Sequence, residues 1–410
     1  MAGTGWLVCP GFSGRCAWAF DDETVLLTPE GQPPLALPLR EIQGLGGDEY
    51  TIGLAADRQQ FALSRLGGDG PPLRERLTRL WLPARAQALR IAGSGDAERF
   101  AGAVTTGGAA RPFVGLLFED VLAYATPGDD VEPFFLALLA GVVHDAAGYT
   151  VTASGWDGSA VVFSKLAGRT DAFAQGLAAR RAGLAGEAAA ALAAHLPTIS
   201  LGPRAALSAA WPPGRMLPLA ELERTAPGFA AAATSSWLPM LPRKTEGEVL
   251  LAWAESAFLG YSRSADKHPA PVASEEEPAA RPPATSEPLG SASENTPAAP
   301  DDPSAPLWIM AQRGPAWLLE CLSLTDHATY RFEGGDEMPA LATRLLCAPQ
   351  FSRTALYQPI ESLVGDEAEF AVAARDLPFL AALRERFRGR IIHAGISAWT
   401  KSVAAPAGTS

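Results

Sequence analysis

Between residues 16 and 66 the apolar positions come in short alternating runs: CAWAF (16–20), ETVLLTP (23–29), LALPL (35–39), EYTIGLA (49–55) and QFALSRL (60–66). Asp, Gly and Pro separate them, a pattern that predicts antiparallel strands joined by tight turns. The period then changes. GGDGPPLRERLTRLW opens with turn formers and prolines suited to a first helical turn, and Leu73, Leu77 and Leu80 recur at i, i+4 and i+7. That is the apolar stripe of a helix laid on a sheet.

The same sentence is written again a hundred residues later. Phe20-Asp21-Asp22 corresponds to Phe118-Glu119-Asp120 and Thr28-Pro29 to Thr126-Pro127 at an offset of 98, and Tyr50-Thr51-Ile52 to Tyr149-Thr150-Val151 at 99. Ser64-Arg65-Leu66 matches Ser164-Lys165-Leu166, with Leu73 and Leu77 matching Phe173 and Leu177, all at 100. An ordered drift of this kind is the mark of duplication with small loop indels. Strands in the second copy are expected at 113–119, 121–126, 134–139, 149–154 and 159–165. Its helix is expected to start near Asp171 as N-cap and to run to His195, where it doubles as a connector.

A strand meander closed by one helix carrying Trp81 resembles the pleckstrin-homology-like superfold. The resemblance covers residues 12–196 in two copies and implies, for each copy, two nearly orthogonal small sheets with one end covered by the C-terminal helix. It also implies roles ranging from phosphoinositide or peptide binding to pure scaffolding, among which fold does not choose. Lipid-binding members carry Lys and Arg in the first hairpin loop; the loops matched here, DDET and ED, are acidic and would repel phosphate.

Beyond the repeats the pattern predicts an α+β domain over 197–403, and leaves open whether it is a third, diverged copy. Val249, Trp253, Ala257 and Tyr261 stand four apart, predicting a helix over 246–263. LWIMAQ (307–312), AWLLECLSL (316–324) and HATYRFE (327–333) predict a meander, followed by helical periods at 338–346, 367–376 and 377–387. Residues 264–306 are rich in Pro, Ala, Ser and Glu, carry a net charge of −6, and have no apolar period. Such a segment is expected to be a disordered linker. The domains expected are therefore 1–95, 96–196 and 197–403, the last interrupted by 264–306, in an α+β chain.

Composition narrows the chemistry. A net charge of −12 over 410 residues disfavours nucleic acid and anionic membranes as partners. Only four lysines accompany abundant Ala, Gly, Pro and Arg, the bias of a GC-rich bacterial genome. The longest apolar run, FFLALLAGVV (134–143), has ten residues, where a membrane-spanning helix needs about twenty. With no signal-like start, a cytoplasmic location is expected. Cys9, Cys16, Cys321 and Cys347 lack C-x-x-C spacing and read as free thiols, although a Cys9–Cys16 bridge has the separation to form.

No catalytic signature emerges. Ser13 in GFSGR misses the G-x-S-x-G elbow and reads as a turn. Ser264-Ala265-Asp266-Lys267 satisfies S-x-x-K but opens the linker, and His144-Asp145 reads as a polar turn. The histidines show no metal-ligand spacing, and no cofactor loop occurs. One charge cluster stands out. Arg375, Arg384, Arg386, Arg388, Arg390 and Lys401 face only Asp376 and Glu385, for +4. It reads as a helix C-terminus favouring positive charge or, more sharply, as a docking patch formed by Arg384, Arg386, Arg388 and Arg390. The reading reached is a non-catalytic interaction module for protein or peptide partners, by strand addition or groove binding. The alternatives are an enzyme whose site is assembled from scattered residues of the third domain and, last, a peripheral lipid binder.

Overall fold

The computed structural model describes residues 1–93, 96–241, 244–253, 255–262, 307–322, 328–348, 353–391, 393 and 395–404. The linker expected at 264–306 lies outside the described residues.

The first sheet holds β1 (Ala2–Cys9), β2 (Phe12–Phe20), β3 (Thr24–Pro29), β4 (Leu35–Pro38), β5 (Ile42–Gly46), β6 (Thr51–Ala56) and β7 (Gln59–Ser64), in the order β4-β3-β2-β1-β7-β6-β5. Helix α1 (Gly70–Ala88) closes it. Two prolines sit in the first turn of α1, where no backbone donor is needed. Leu73, Leu77 and Trp81 are buried on the sheet, while Leu80 is only half-buried. The Trp81 indole donates to the Ile42 carbonyl at 2.7 Å.

The second sheet repeats the plan: β8 (Glu98–Thr106), β9 (Ala109–Leu117), β10 (Val121–Ala125), β11 (Glu132–Phe135), β12 (Leu139–Asp145), β13 (Thr150–Gly155) and β14 (Ala160–Ser164), in the order β11-β10-β9-β8-β14-β13-β12. It is closed by α2 (Thr170–His195). Both are antiparallel seven-stranded sheets with a C-terminal helix, the pleckstrin-homology-like arrangement. Backbone detail repeats as well. Arg65 and Lys165 have φ of 56° and 54°, and Arg181 donates to the Leu139 carbonyl at 3.0 Å where Trp81 donates to Ile42.

Three expectations need correction. The opening strand of each copy, β1 and β8, and the edge strand β5 were not legible, because AGTGWLVC and IQGLG mix glycine with polar residues. The 98-residue match is also one residue out of register. Asp21 N–H bonds the Thr24 carbonyl and Phe118 N–H the Val121 carbonyl, so Phe118 stands where Asp21 does and Leu117 replaces Phe20. A one-residue slip turns a side chain to the other face, and Leu117, not Phe118, is the counterpart of the buried Phe20. Finally, Asp171 lies inside the first turn of α2, and the cap position is Arg169.

The third sheet, of β15 (Leu217–Pro218), β16 (Ala257–Tyr261), β17 (Leu307–Arg313), β18 (Ala316–Leu322), β19 (Ala328–Glu333) and β20 (Phe387–Ile391), is a sequential meander. Among the described residues it lacks the closure of first strand on seventh that both repeats show. Around it lie α3 (Leu201–Ala210), α4 (Leu219–Thr225), α5 (Phe229–Ala232), α6 (Lys244–Leu251), α7 (Met338–Cys347), α8 (Thr354–Tyr357), α9 (Ala371–Asp376), α10 (Pro378–Arg386) and α11 (Ile396–Ala404). The helix expected over 246–263 ends at Leu251. Ala257 and Tyr261 instead join β16, because Ala257, Leu259 and Tyr261 also satisfy the two-residue period of a strand and pair with β17.

This meander is buried on both faces. Trp308 and Met310 belong to a core continuous with both repeats, whereas Leu307, Ile309 and Ala311 belong to a second core with Leu192 and Leu196 at the end of α2. The long α2 thus does act as the connector. The repeats meet where the turn at Gly128 reaches the edge strand β5, with Gly128 N–H bonding the Leu45 carbonyl at 3.1 Å. A Cβ on Gly44 or Gly46 would collide with the Gly128 backbone. The second copy has Gly141 and Val143 at those places, and Gly141 faces open space.

Candidate functional site: a groove on the first sheet

The outer face of the first sheet is built by cross-strand neighbours. Trp6 lies opposite Arg15 and Ser64, and Thr4 opposite Ala17, which lies opposite Thr28. Neighbours in register share a face, so β1, β2 and β3 present Thr4, Trp6, Arg15, Ala17 and Thr28 together. Residues 30–32 curl over one side, with Glu30 N–H bonding the Arg15 carbonyl at 2.9 Å. Arg65, held at positive φ, places its guanidinium 4.4 Å from the centroid of the Trp6 ring. The result is an open groove of about 840 Å³ lined by these residues and by Gly5, Cys16, Pro29, Glu30, Gly31 and Gln32.

The groove is cationic on one side and small-residued on the other. Arg15 and Arg65 have no carboxylate partner among the described residues, and Glu30 is the acidic group on its rim. Trp6 donates to the Ser13 hydroxyl at 3.3 Å, which fixes the ring as a floor. Ser13 therefore lies in β2, not in a turn; the turn is Pro10–Gly11. That shift also relocates the phosphate question. DDET and ED are the second hairpin loops, and the first are Pro10-Gly11 and Gly107-Gly108, which carry no charge at all. In the second copy Ala103, Pro112 and Lys165 stand where Trp6, Arg15 and Arg65 do, so the platform belongs to the first repeat alone.

The third domain does bring chemistry-bearing groups together. The Thr329 hydroxyl lies 2.9 Å from His393 Nε2, and His393 lies 3.6 Å from Glu246 through Nδ1 and 3.4 Å from Glu320 through Nε2. The Trp399 indole donates to the Thr329 hydroxyl at 2.8 Å, and that hydroxyl also bonds Glu320. Sequence spacing could not reveal this set, since its members come from α6, β18, β19, α11 and the segment after β20. Thr329 and Glu320 are fully buried, and the arrangement ties α11 to the sheet.

The basic cluster is dispersed. Arg384 and Arg386 end α10, while Arg388 and Arg390 lie on β20. Arg384 donates to the carbonyls of Ala355 and Gln358. Arg386 pairs with Glu337 at 3.0 Å, Arg388 with Glu333 at 2.8 Å, and Arg390 lies over the Tyr357 ring. Arg375 pairs with Glu41 at 2.7 Å and Asp376 at 2.8 Å.

None of the four cysteines is joined in a disulfide. Burial pushes Cys16 up, and burial followed by the Asp120 charge pushes Cys347 up strongly, which leaves neither as a thiolate at neutral pH. His144 and Asp145 end β12, and His144 lies 3.5 Å from Asp171. Among the described residues no group of three or more His, Cys, Asp or Glu is placed to hold a metal ion, and no helix is long and apolar enough to cross a membrane.

No family model matches the sequence, and no curated protein matches it. Among solved structures the chain is similar to one described as the Spt16D Pob3N heterodimer, at 13% identity and a TM-score of 0.16, covering 38% of this chain and 85% of that one.

Proposed function

We propose that the chain is a non-catalytic interaction module that receives a protein partner on the outer face of its first sheet. The observation supporting this reading is the open groove in which Trp6 of β1, Arg15 of β2 and Arg65 just after β7 converge beside a smooth Ala and Thr surface. An aromatic floor flanked by uncommitted arginines is the composition of an interface anchor. The competing enzymatic reading would draw on Thr329, His393 and Glu246, but the hydroxyl in question is sealed.

The test is a photo-crosslinking residue placed at Ala17, with a second at Gly183 on the open side of α2 as control. Crosslinks formed in a host lysate from position 17, absent from position 183 and lost on combining Arg15→Glu with Arg65→Glu, are the expected result. Crosslinking indifferent to the arginines, or equal at both positions, would overturn the proposal.

A further inference from the structure

The two repeats differ in what covers the same face. In the second sheet the outward residues Leu116 of β9 and Val121, Ala123 and Ala125 of β10 are buried, and Val114 of β9 is half-buried. What lies over them is α1 of the first repeat. That helix buries Leu73, Leu77 and Trp81 toward its own sheet and buries Leu82, Arg85 and Ala86 as well, contacts β9 and β10, and accepts hydrogen bonds from Arg99 of β8 through the carbonyls of Thr78 and Arg79. Hairpin register places Ala19, Thr24, Leu26 and Thr28 of the first sheet at the four buried positions. There they are half-buried or, for Leu26, 38% exposed.

We infer that the partner element seated on the first sheet is an acidic α-helix. It would lie along Ala19, Thr24, Leu26 and Thr28 as α1 lies along their counterparts and continue past Ala17, with a carboxylate end over Arg15 and Arg65. Small side chains on the sheet let a helix backbone approach closely, and two arginines against the single Glu30 leave the end of the face positive. Continuation by a second copy of this chain is disfavoured by the repeats themselves. The internal joint relies on Gly46 and Arg85, whose counterparts in the second repeat are Val143 and Ala185, so the surfaces that join repeat one to repeat two are not regenerated at the far end.

This inference rests on the reading of the first sheet as a protein-binding face, and one experiment separates the two. A displayed library of 20-residue Ala-, Leu- and Glu-rich peptides is selected on the full chain. Each recovered binder is then measured against wild type, Ala17→Arg and the Arg15→Glu, Arg65→Glu double variant, and is remade with a central proline. The expected outcome is acidic binders that lose at least tenfold in affinity on both variants and on proline insertion. Binders lost on Ala17→Arg but unaffected by proline would overturn the helix while sparing the face. No binder sensitive to Ala17→Arg would overturn both. Sedimentation showing self-association of wild type that Ala17→Arg abolishes would assign the face to a second copy and overturn the separate partner.

Discussion

Arg85 in α1 and Asp376 at the end of α9 lie 2.9 Å apart although 291 residues separate them in the chain. The same guanidinium grips Asp130 of the second repeat at 2.5 and 2.8 Å and donates to the Arg40 carbonyl at 2.7 Å. One fully buried side chain therefore holds both repeats and the third domain together. The joint has a fixed hydrogen-bond geometry and lies within a core that runs through both repeats and the third region.

Removing the cation leaves Asp376, 5% exposed, with Arg375 and Gln43 but takes the buried guanidinium from both Asp376 and Asp130. Removing one partner of a buried charge pair costs up to about 3–5 kcal/mol. Arg85→Ala is expected to lower stability by that order in denaturant unfolding and to raise hydrogen exchange on both sides of the joint. A loss below 1 kcal/mol would mean that the joint is solvated.

The joint also sets an acid limit. Burial works to raise the Asp376 carboxyl, but hydrogen bonds from Arg375 and Arg85 and their charges outweigh it, and its pKa is held below the ordinary value. A depressed folded-state pKa gives stability that is present above about pH 3.9 and is lost as the pH falls through the lower value. Asp130 has the opposite sign. Burial pushes it up against the pull of Arg85, so its protonation offsets part of the loss. Urea unfolding between pH 7 and pH 3 should show wild-type stability falling below about pH 4. Asp376→Asn should be less stable at pH 7 and show a shallower acid limb. An unchanged limb would detach Asp376 from the acid response.

How much of this was legible follows from where each signal lives. Alternation exposed the strands with bulky residues, such as TVLLTP and AWLLECL, and the i, i+4 leucines exposed α1. Strands rich in glycine escaped because glycine carries no hydrophobic period, yet Gly44 and Gly46 are there for a reason that only three dimensions disclose. In the sequence, LGG reads as a turn; in the fold, Gly44 and Gly46 are the flat spot on β5 where the Gly128 backbone lands. The basic cluster was visible but its meaning was not, since Glu333 and Glu337 lie too far back in the chain to suggest Arg388 and Arg386 as partners. Trp6, Arg15 and Arg65 come from separate elements, and no local spacing could have grouped them.

Gly46 offers a direct test of the flat spot. A Cβ there would stand 2.7 Å from the Gly128 backbone nitrogen, and neither backbone can yield without breaking the hydrogen bond to Leu45. Gly46→Val, which installs the residue found at the matching Val143, is expected to cost about 1–3 kcal/mol by overpacking and to deprotect the Gly128 amide in hydrogen exchange. Val143→Gly, at an exposed position of an edge strand, should cost under about 1 kcal/mol, the usual glycine penalty. Equal costs for the two would remove the argument.

The buried polar set in the third domain predicts a local effect. Thr329→Val keeps shape but deprives the Trp399 indole of its acceptor and leaves Glu320 and His393 one partner fewer. A buried polar group left unsatisfied costs about 1–3 kcal/mol. Exchange should accelerate through 396–404, since Trp399 anchors that helix, while the repeats stay protected. A uniform change across the chain would mean that the cluster does not act as the anchor of α11.

The last prediction tests the repeat itself. Gly5 in β1 and Gly102 in β8 occupy matching places beside the seventh strand of their sheets. A Cβ on Gly5 would lie 2.7 Å from the Ser64 carbonyl oxygen and 3.1 Å from Leu66, and one on Gly102 would lie 2.5 Å from the Ser164 carbonyl oxygen and 3.2 Å from Leu166. In both cases the obstacle is backbone, which cannot rotate away as a side chain would. Gly5→Ala and Gly102→Ala should each destabilise by about 1–3 kcal/mol. Because the sites share no partner, the double variant should lose close to the sum. Gly183→Ala, on the open face of α2, should instead gain about 0.5–1 kcal/mol, as alanine does over glycine in a helix. Denaturant midpoints of the four proteins decide the matter. A tolerated alanine at one site and a costly one at the other would show that the two copies do not share the strand crossing their register implies.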